Sequence, residues 1–374
     1  MMKNIDSLIY SSTPSINFHD GKINYFYELV KKSIQDELFP GLEIMVFQGK
    51  MILLHKVFGN KRLKPAIEEL TLNSIFDVAS MTKPMVTALL VMILLEQGKL
   101  NLSDCVSSYF PEFNNNEKKD ITIKHLLTHS SGLPAWANLY ENMKSKDDAI
   151  NKLLTLPLEY YPGSQMIYSC MGFILLKLII EKITSTSIDK LAKEYIFTPL
   201  EMNNSCFNPS NELLTNIVPS GYCSYRGKIV WGEVHDENSY YFGGLGGNAG
   251  LFTTAYDIAI LSNMLFQKGK WNGNTIISPQ SVYLMIQNHN FNLPPRGLGF
   301  NLKDKDYKPC GELFGEHSFG HSGFTGTSFW LDPESLIGII LLSNRVHIKY
   351  NETVEAIKTF RMCAHNILLS ALKI

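Results

Sequence analysis

Strand-forming segments at the two ends of this chain, with a long helical stretch between them, constrain its fold more than any other feature. Residues 42–47 and 51–57 are rich in Leu, Ile, Val and Phe and flank Gln48-Gly49-Lys50, a short hairpin signal. Three more strand-like segments lie far downstream, at 297–300, 326–331 and 336–342, the last two joined through Asp332-Pro333-Glu334. Strands must lie side by side to pair their backbone N–H and C=O groups, so the two ends of the chain have to meet in one sheet. Helical spacing of Ile23, Phe26, Leu29, Val30 and Ile34 near the start, and of Val354, Ile357, Phe360, Ala364 and Ile367 near the end, supplies two amphipathic helices to cover it. Residues 80 to about 235 are mainly helical, with loops rich in Pro, Gly and Asn. The expected fold class is α+β: an antiparallel sheet of five or more strands flanked by the N- and C-terminal helices, from residues 1–79 plus 236–374, beside a mostly α-helical domain of residues 80–235. The cleft is expected at their junction. A chain of 374 residues is long enough for one large domain or two interlocked ones.

Charge narrows the partners. With 34 Lys and Arg against 35 Asp and Glu, the formal net charge is −1, and no broad electrostatic pull toward nucleic acid or an anionic membrane follows. The apolar helices are interrupted by Glu96 in one case and by Lys177 and Glu181 in the other, so neither offers the roughly 20 apolar residues of a membrane span. The first twelve residues hold too short an apolar run for a secretory signal, which favours a cytoplasmic location. Six cysteines, at 105, 170, 206, 223, 310 and 363, contain no C-x-x-C pair. They are expected to be free thiols, mostly buried, and no metal site is expected.

The chemistry concentrates in three short stretches. Ser80-Met81-Thr82-Lys83 sets a hydroxyl and an amine three residues apart where an extended segment turns into the apolar helix Pro84-Met85-Val86-Thr87-Ala88-Leu89-Leu90-Val91. Side chains three apart share a helix face. A helix start also offers free backbone N–H groups and the positive end of the dipole, which suits a serine nucleophile. The same four-residue pattern recurs at Ser187-Ile188-Asp189-Lys190, where it simply opens an amphipathic helix, so the company that Ser80 keeps decides the matter. Tyr168-Ser169-Cys170 lies between the Pro162-Gly163 turn and an apolar helix, a position from which a phenol can be aimed into a cleft. Phe319-Gly320-His321-Ser322-Gly323-Phe324 enters a late strand through glycines dense enough for something to approach the backbone closely.

Taken in this order, the three stretches resemble the motifs of the serine β-lactamase and penicillin-binding-protein superfamily. The class C β-lactamase-like branch, with its esterases and D-Ala-D-Ala carboxypeptidases, is most similar. Ile123-Lys124-His125-Leu126-Leu127-Thr128-His129-Ser130-Ser131-Gly132-Leu133-Pro134 resembles that branch's loop after the nucleophile helix, and the likeness runs over roughly residues 25–345. It implies a β-lactamase/transpeptidase-like fold and acyl transfer through a covalent Ser80 ester, with Lys83 as base and Tyr168 as proton relay. It further implies an oxyanion hole from the backbone N–H groups of Ser80 and Phe324, and substrate contacts from Cys170, His321, Ser322 and Gly323. The segment from Val234 to Asn238 and the glycine-rich run after it are similar to part of certain members; His235, Asp236 and Asn238 then orient substrate or support the cleft wall. The implied substrate is a small ester, amide or peptide, with D,D-carboxypeptidase or weak β-lactamase activity as the alternative. A catalytically inactive binding or sensor homologue is the third possibility, and no metal or organic cofactor is called for.

Physical chemistry sets conditions on this machinery. A lysine with an ordinary pKa of about 10.4 is a free amine only about 0.04% of the time at pH 7, so the expectation is that burial or a nearby cation lowers Lys83. Cys170 stands where members acting on β-lactams or peptides carry asparagine, and a thiol cannot both donate and accept as an amide does. Tyr140-Glu141-Asn142 spells the missing triplet but lacks the following apolar helix. His321 stands where β-lactamases commonly use lysine; with an ordinary pKa near 6.5 it is expected to grip a substrate carboxylate more firmly as the pH falls through that value.

Overall fold

A computed structural model describes residues 7–11, 17–349 and 352–373. The N-terminal run read above for a secretory signal lies largely outside these residues. The two chain ends do meet, in an eight-stranded sheet whose strands are β1 (Ile9–Tyr10), β2 (Gly41–Gln48), β3 (Met51–Arg62), β4 (Glu68–Glu69), β5 (Asn301–Leu302), β6 (Phe319–Ser322), β7 (Ser328–Asp332) and β8 (Ile337–Ser343). Their order is β1-β3-β2-β8-β7-β6-β5, with β4 alongside β3. Only β1 runs parallel to its neighbour.

The seam between N- and C-terminal halves is the β2–β8 pair, from Gln48 opposite Ile337 to Leu42 opposite Ser343. Both strands are buried on both faces, and their alternation sorts side chains into two cores. Leu42, Ile44 and Val46 of β2, with Ile337, Ile339 and Leu341 of β8, enter one core with helices α1 (Asp20–Gln35) and α5 (Val354–Ala371). Met45, Phe47, Ile340 and Leu342 enter the other, larger core with α2 (Ala79–Glu96), α3 (Cys170–Thr184) and α4 (Ala255–Phe266).

Helix α2 is long and apolar enough to cross a membrane by composition, but 83% of it is buried inside the protein, where it forms the centre of the larger core. It opens with a tight turn at Ala79–Met81, widens over Lys83–Ala88, and becomes regular at Leu89–Glu96. Pro84 sits in its first turn, where a missing N–H is tolerated.

Two expectations need correction. The segment 297–300 is not a strand; β5 begins at Asn301, because Gly299 takes a left-handed φ of +83° and the backbone of Gly297 lies against the Met285 carbonyl. The cysteines are all free, but only Cys223 and Cys310 are buried; Cys363 is exposed on the outer side of α5, and the other three are half-buried.

Candidate active site

Ser80 lies at the floor of a cleft of about 740 Å³ lined by the start of α2, by Tyr168 and Cys170, by residues 235–237, and by the end of β6 with its following turn. The lysine one turn on is fully buried. Its Nζ donates to Ser80 Oγ at 2.9 Å, to the Asn248 carbonyl at 3.1 Å and to Cys170 Sγ at 3.5 Å. Tyr168 completes the group: Lys83 Nζ stands 4.8 Å from its ring centre, and Lys83 and Ser80 both act to lower its phenol pKa. Tyr168, far downstream in sequence, therefore converges with Ser80 and Lys83.

Local sequence explains how Tyr168 is aimed. Ser169 caps α3, its Oγ accepting from Gly172 N at 3.3 Å and donating to the Pro134 carbonyl at 2.7 Å. The residues on either side of the tyrosine are gripped by His129, whose carbonyl accepts from Ile167 N at 3.0 Å and whose Nδ1 accepts from Ser169 N at 3.0 Å. The His129 ring itself packs on Tyr168 with centroids 4.4 Å apart. Burial holds His129 well below its ordinary pKa, with Arg296 and Lys83 adding to the effect, so it is neutral.

The electrostatics of the triad differ from expectation. Burial acts to lower Lys83, but the sulfur of Cys170 and the phenol of Tyr168 favour its charged form, and the net direction is upward. Lys83 is thus held as an ammonium with its donors engaged. Burial likewise raises Tyr168, and Lys83 pulls it part of the way back. Cys170 is raised by burial and stays a thiol. The resting cluster is Lys83 ammonium, neutral Tyr168 and neutral Ser80; loss of one proton from the Lys83–Tyr168 pair produces a base beside Oγ.

On the opposite wall, Ser322, Gly323 and Phe324 line the cleft together with His321. A side chain at Gly323 has no room, since a Cβ there would stand 2.4 Å from the Val78 carbonyl. His321 does not fit the role of a titrating anchor. It is 1% exposed, its Nδ1 donates to the Ser322 carbonyl at 2.9 Å, and burial with the nearby Lys83 and Arg296 charges keeps it well below 6.5, so it does not become a cation as the pH falls through that value.

Arg345, Lys358 and Arg361 also line the cleft, and a second cation beside Tyr168 is Arg296, which sequence reasoning missed. Its guanidinium lies 5.9 Å from the Tyr168 ring, and its buried Nε and Nη1 have no partner among the described residues. Burial lowers its pKa, offset in part by Tyr307 and Tyr168, but arginine remains charged. The only hint in the sequence was a lone charge between Pro294-Pro295 and Gly297, which has no periodicity to mark it.

The remaining wall comes from residues 235–238. His235 and Asp236 line the cleft, whereas Asn238 is fully buried behind it, its amide donating to the Ala137 carbonyl at 2.9 Å and accepting from Leu139 N at 2.8 Å. Asn238 thus braces the 137–139 loop. Tyr140 of the second triplet also lines the cleft, next to Trp136, and belongs to its mouth. Among the described residues, no group of three or more His, Cys, Asp or Glu side chains is gathered to hold a metal ion.

The sequence matches the Beta-lactamase family over residues 26–357. A Salmonella enteritidis protein named "Putative D-alanyl-D-alanine carboxypeptidase" is 29% identical over 376 residues, covering 91% of this chain and 86% of its own. The fold is shared with an octameric penicillin-binding protein homologue from Pyrococcus abyssi (TM-score 0.74, 22% identity, 93% of this chain and 78% of that one). It is shared equally with a class C β-lactamase mutant (TM-score 0.74, 20% identity, 94% and 97%). With Ser80 seated on its buried lysine inside this fold, the chain belongs to the beta-lactamase family and is a serine hydrolase of that superfamily.

Proposed function

We propose that this protein cleaves small amides, peptides or esters through a covalent Ser80 acyl-enzyme, and that its preferred substrates carry a free carboxylate beside the scissile bond, as a D,D-carboxypeptidase substrate does. The observation that carries the reading is the 2.9 Å contact from the buried Lys83 Nζ to Ser80 Oγ, with the Tyr168 ring centre 4.8 Å from the same Nζ. Once the Lys83–Tyr168 pair has lost one proton, it accepts the Ser80 proton as Oγ attacks the acyl carbon. The carbonyl oxygen becomes an oxyanion facing the backbone N–H groups of Ser80 and Phe324; one such donor is worth about 3–4 kcal/mol of barrier. Tyr168 then delivers the proton to the departing amine or alcohol, the C–N or C–O bond breaks, and water repeats the sequence on the ester.

The Arg296 guanidinium, which lines the cleft beside Tyr168, supports a carboxylate on the leaving group, since an arginine fork matches that shape. Cys170 argues against efficient β-lactam turnover, because its thiol cannot replace an amide as both donor and acceptor. Treatment with a fluorophosphonate followed by peptide mass mapping is expected to place the adduct on Ser80, and Ser80→Ala is expected to abolish both labelling and hydrolysis of p-nitrophenyl acetate. Hydrolysis surviving unchanged in Ser80→Ala would refute the assignment.

A further inference from the structure

A buried carboxylate on the strand leading into α2 is used by no step above. We infer that Asp77 is a positioning residue which fixes the two oxyanion-binding N–H groups, those of Ser80 and Phe324, relative to each other; the inference rests on acyl transfer at Ser80.

Asp77 is 4% exposed, on the short strand Phe76–Asp77 that leads into α2. Its carboxylate accepts from Ala79 N at 2.8 Å through Oδ1 and from His235 N at 2.7 Å through Oδ2. Its own carbonyl accepts from Thr325 Oγ1 at 2.8 Å. Each partner adjoins the oxyanion site. Ala79 immediately precedes Ser80 and holds a left-handed φ of +46°, a conformation that needs support in a residue other than glycine. Thr325 immediately follows Phe324. His235 lies against Phe324, their rings stacked with centroids 6.1 Å apart. One side chain and its carbonyl therefore tie the Ser80 side, the Phe324 side and the cleft wall together. The join is close, because Thr327 Oγ1 also donates to the Val78 carbonyl at 3.2 Å.

Both carboxylate oxygens act as acceptors, so the clamp needs the ionised form; a proton on either oxygen would face an N–H. Burial pushes Asp77 up to about 6, against the two N–H groups that lower it. Asp236 adds to the rise and Arg226 opposes it, and these are the charged groups that act on it. The segments packed against it at 252–253 and 323–327 carry no titratable side chain, and burial lowers the ring of His235 to about 4, leaving it neutral. The clamp accordingly loosens as the pH falls through about 6.

Asp77→Asn tests this, because the amide keeps one acceptor and turns an N–H against the other donor. With p-nitrophenyl acetate, a neutral substrate, kcat is expected to fall about 10- to 100-fold while KM stays within about threefold. In the wild type the log kcat/KM profile is expected to steepen from a slope of about one to about two below pH 6, and in Asp77→Asn to keep a slope of about one. Thr325→Val, which removes only the carbonyl contact, is expected to lose about 3- to 10-fold in kcat and to keep the steep acid limb, with Thr325→Ser restoring the rate. A folded Asp77→Asn with kcat within about threefold of wild type, or with the steep limb intact, overturns the inference. If Asp77→Asn fails to fold, the Thr325 pair decides, and a Thr325→Val enzyme as fast as wild type overturns it. Wild-type protein that takes no fluorophosphonate at Ser80 overturns the acyl-transfer reading and this inference together, whereas labelled wild type with an unaffected Asp77→Asn overturns this inference alone.

Discussion

Three residues decide the chemistry, and their charge states make it testable. Because Lys83 is held as an ammonium and Tyr168 as a phenol, the activating event is loss of one proton shared by the pair. The rate constant kcat/KM for a neutral ester is therefore expected to climb with pH above neutrality, about tenfold per unit until the pair's first proton is lost. A profile flat from pH 6 to 9 would mean that the resting pair already holds a free base. Tyr168→Phe removes the relay but keeps the ring against His129, so kcat for an amide, whose leaving group needs the proton, is expected to drop by about 10²–10⁴, with a smaller loss for p-nitrophenyl acetate. Arg296 acts on a different quantity. Arg296→Ala is expected to raise KM for a peptide ending in a free carboxylate by about 10- to 100-fold, the range of a charge-assisted hydrogen bond of about 1.5–3 kcal/mol, and to leave the neutral ester nearly untouched. Equal losses on both substrates would place Arg296 outside the carboxylate subsite.

At the scale of elements, the sheet carries an ionisable group of its own. Glu43 of β2 is completely buried and its Oε1 bonds His55 Nε2 of β3 at 2.7 Å, while His55 Nδ1 meets the Tyr10 hydroxyl of β1 at 3.0 Å. Burial lifts Glu43 from 4.5 to about 7, with His55 pulling it down. A carboxyl raised in the fold favours the folded state most below its unfolded value, and that contribution is lost as the pH rises through about 7. Denaturant unfolding at pH 5 and pH 8 is thus expected to show Glu43→Gln gaining on wild type at the higher pH by up to about 3 kcal/mol. A difference between the two proteins that does not change with pH would sink this account. The strands themselves were legible, since near-continuous apolar runs such as 42–47 and 336–342 are what strands packed into a core on each face demand. So was Ser80 with Lys83, because a three-residue spacing on a helix places both on one face by geometry alone. What sequence could not show were contacts between segments that have no local pattern. Arg296 is a charge in a Pro- and Gly-rich stretch, Asp77 looks like any polar residue before a helix, and the direction of the Lys83 shift depends on which acceptors the fold brings to it. The displaced start of β5 has the same origin, a close approach of Gly297 to Met285 that is distant in the chain.

At the scale of the whole molecule, the chain's last helix serves the sheet and the site at once. Successive residues of an α-helix point about 100° apart. Phe360 of α5 is buried in the smaller core, edge-on to Phe39 with ring centroids 5.0 Å apart. Its neighbour Arg361 turns toward the cleft, where Nη2 donates to the Gly323 carbonyl at 3.2 Å and the Thr327 carbonyl at 2.9 Å, the two ends of the turn that presents Phe324. The two neighbours are therefore expected to separate stability from catalysis. Phe360→Ala leaves a cavity between helix and sheet and is expected to lower the unfolding free energy by about 3–5 kcal/mol, with kcat of the remaining folded protein within about twofold of wild type. Arg361→Ala removes the guanidinium that bridges these two carbonyls, leaving each with only its backbone donor (Gly326 N to Gly323, Gly323 N to Thr327), and loosens the turn. Its stability loss is expected to be smaller, about 1–3 kcal/mol, while kcat falls about tenfold or more because the Phe324 N–H is no longer held in place. Denaturant titration and steady-state kinetics on the same preparations measure both. If Phe360→Ala slows the reaction as much as Arg361→Ala does at matched folded concentration, the helix acts on the site through the sheet as a whole, and the direct hydrogen bonds of Arg361 are not what positions the turn.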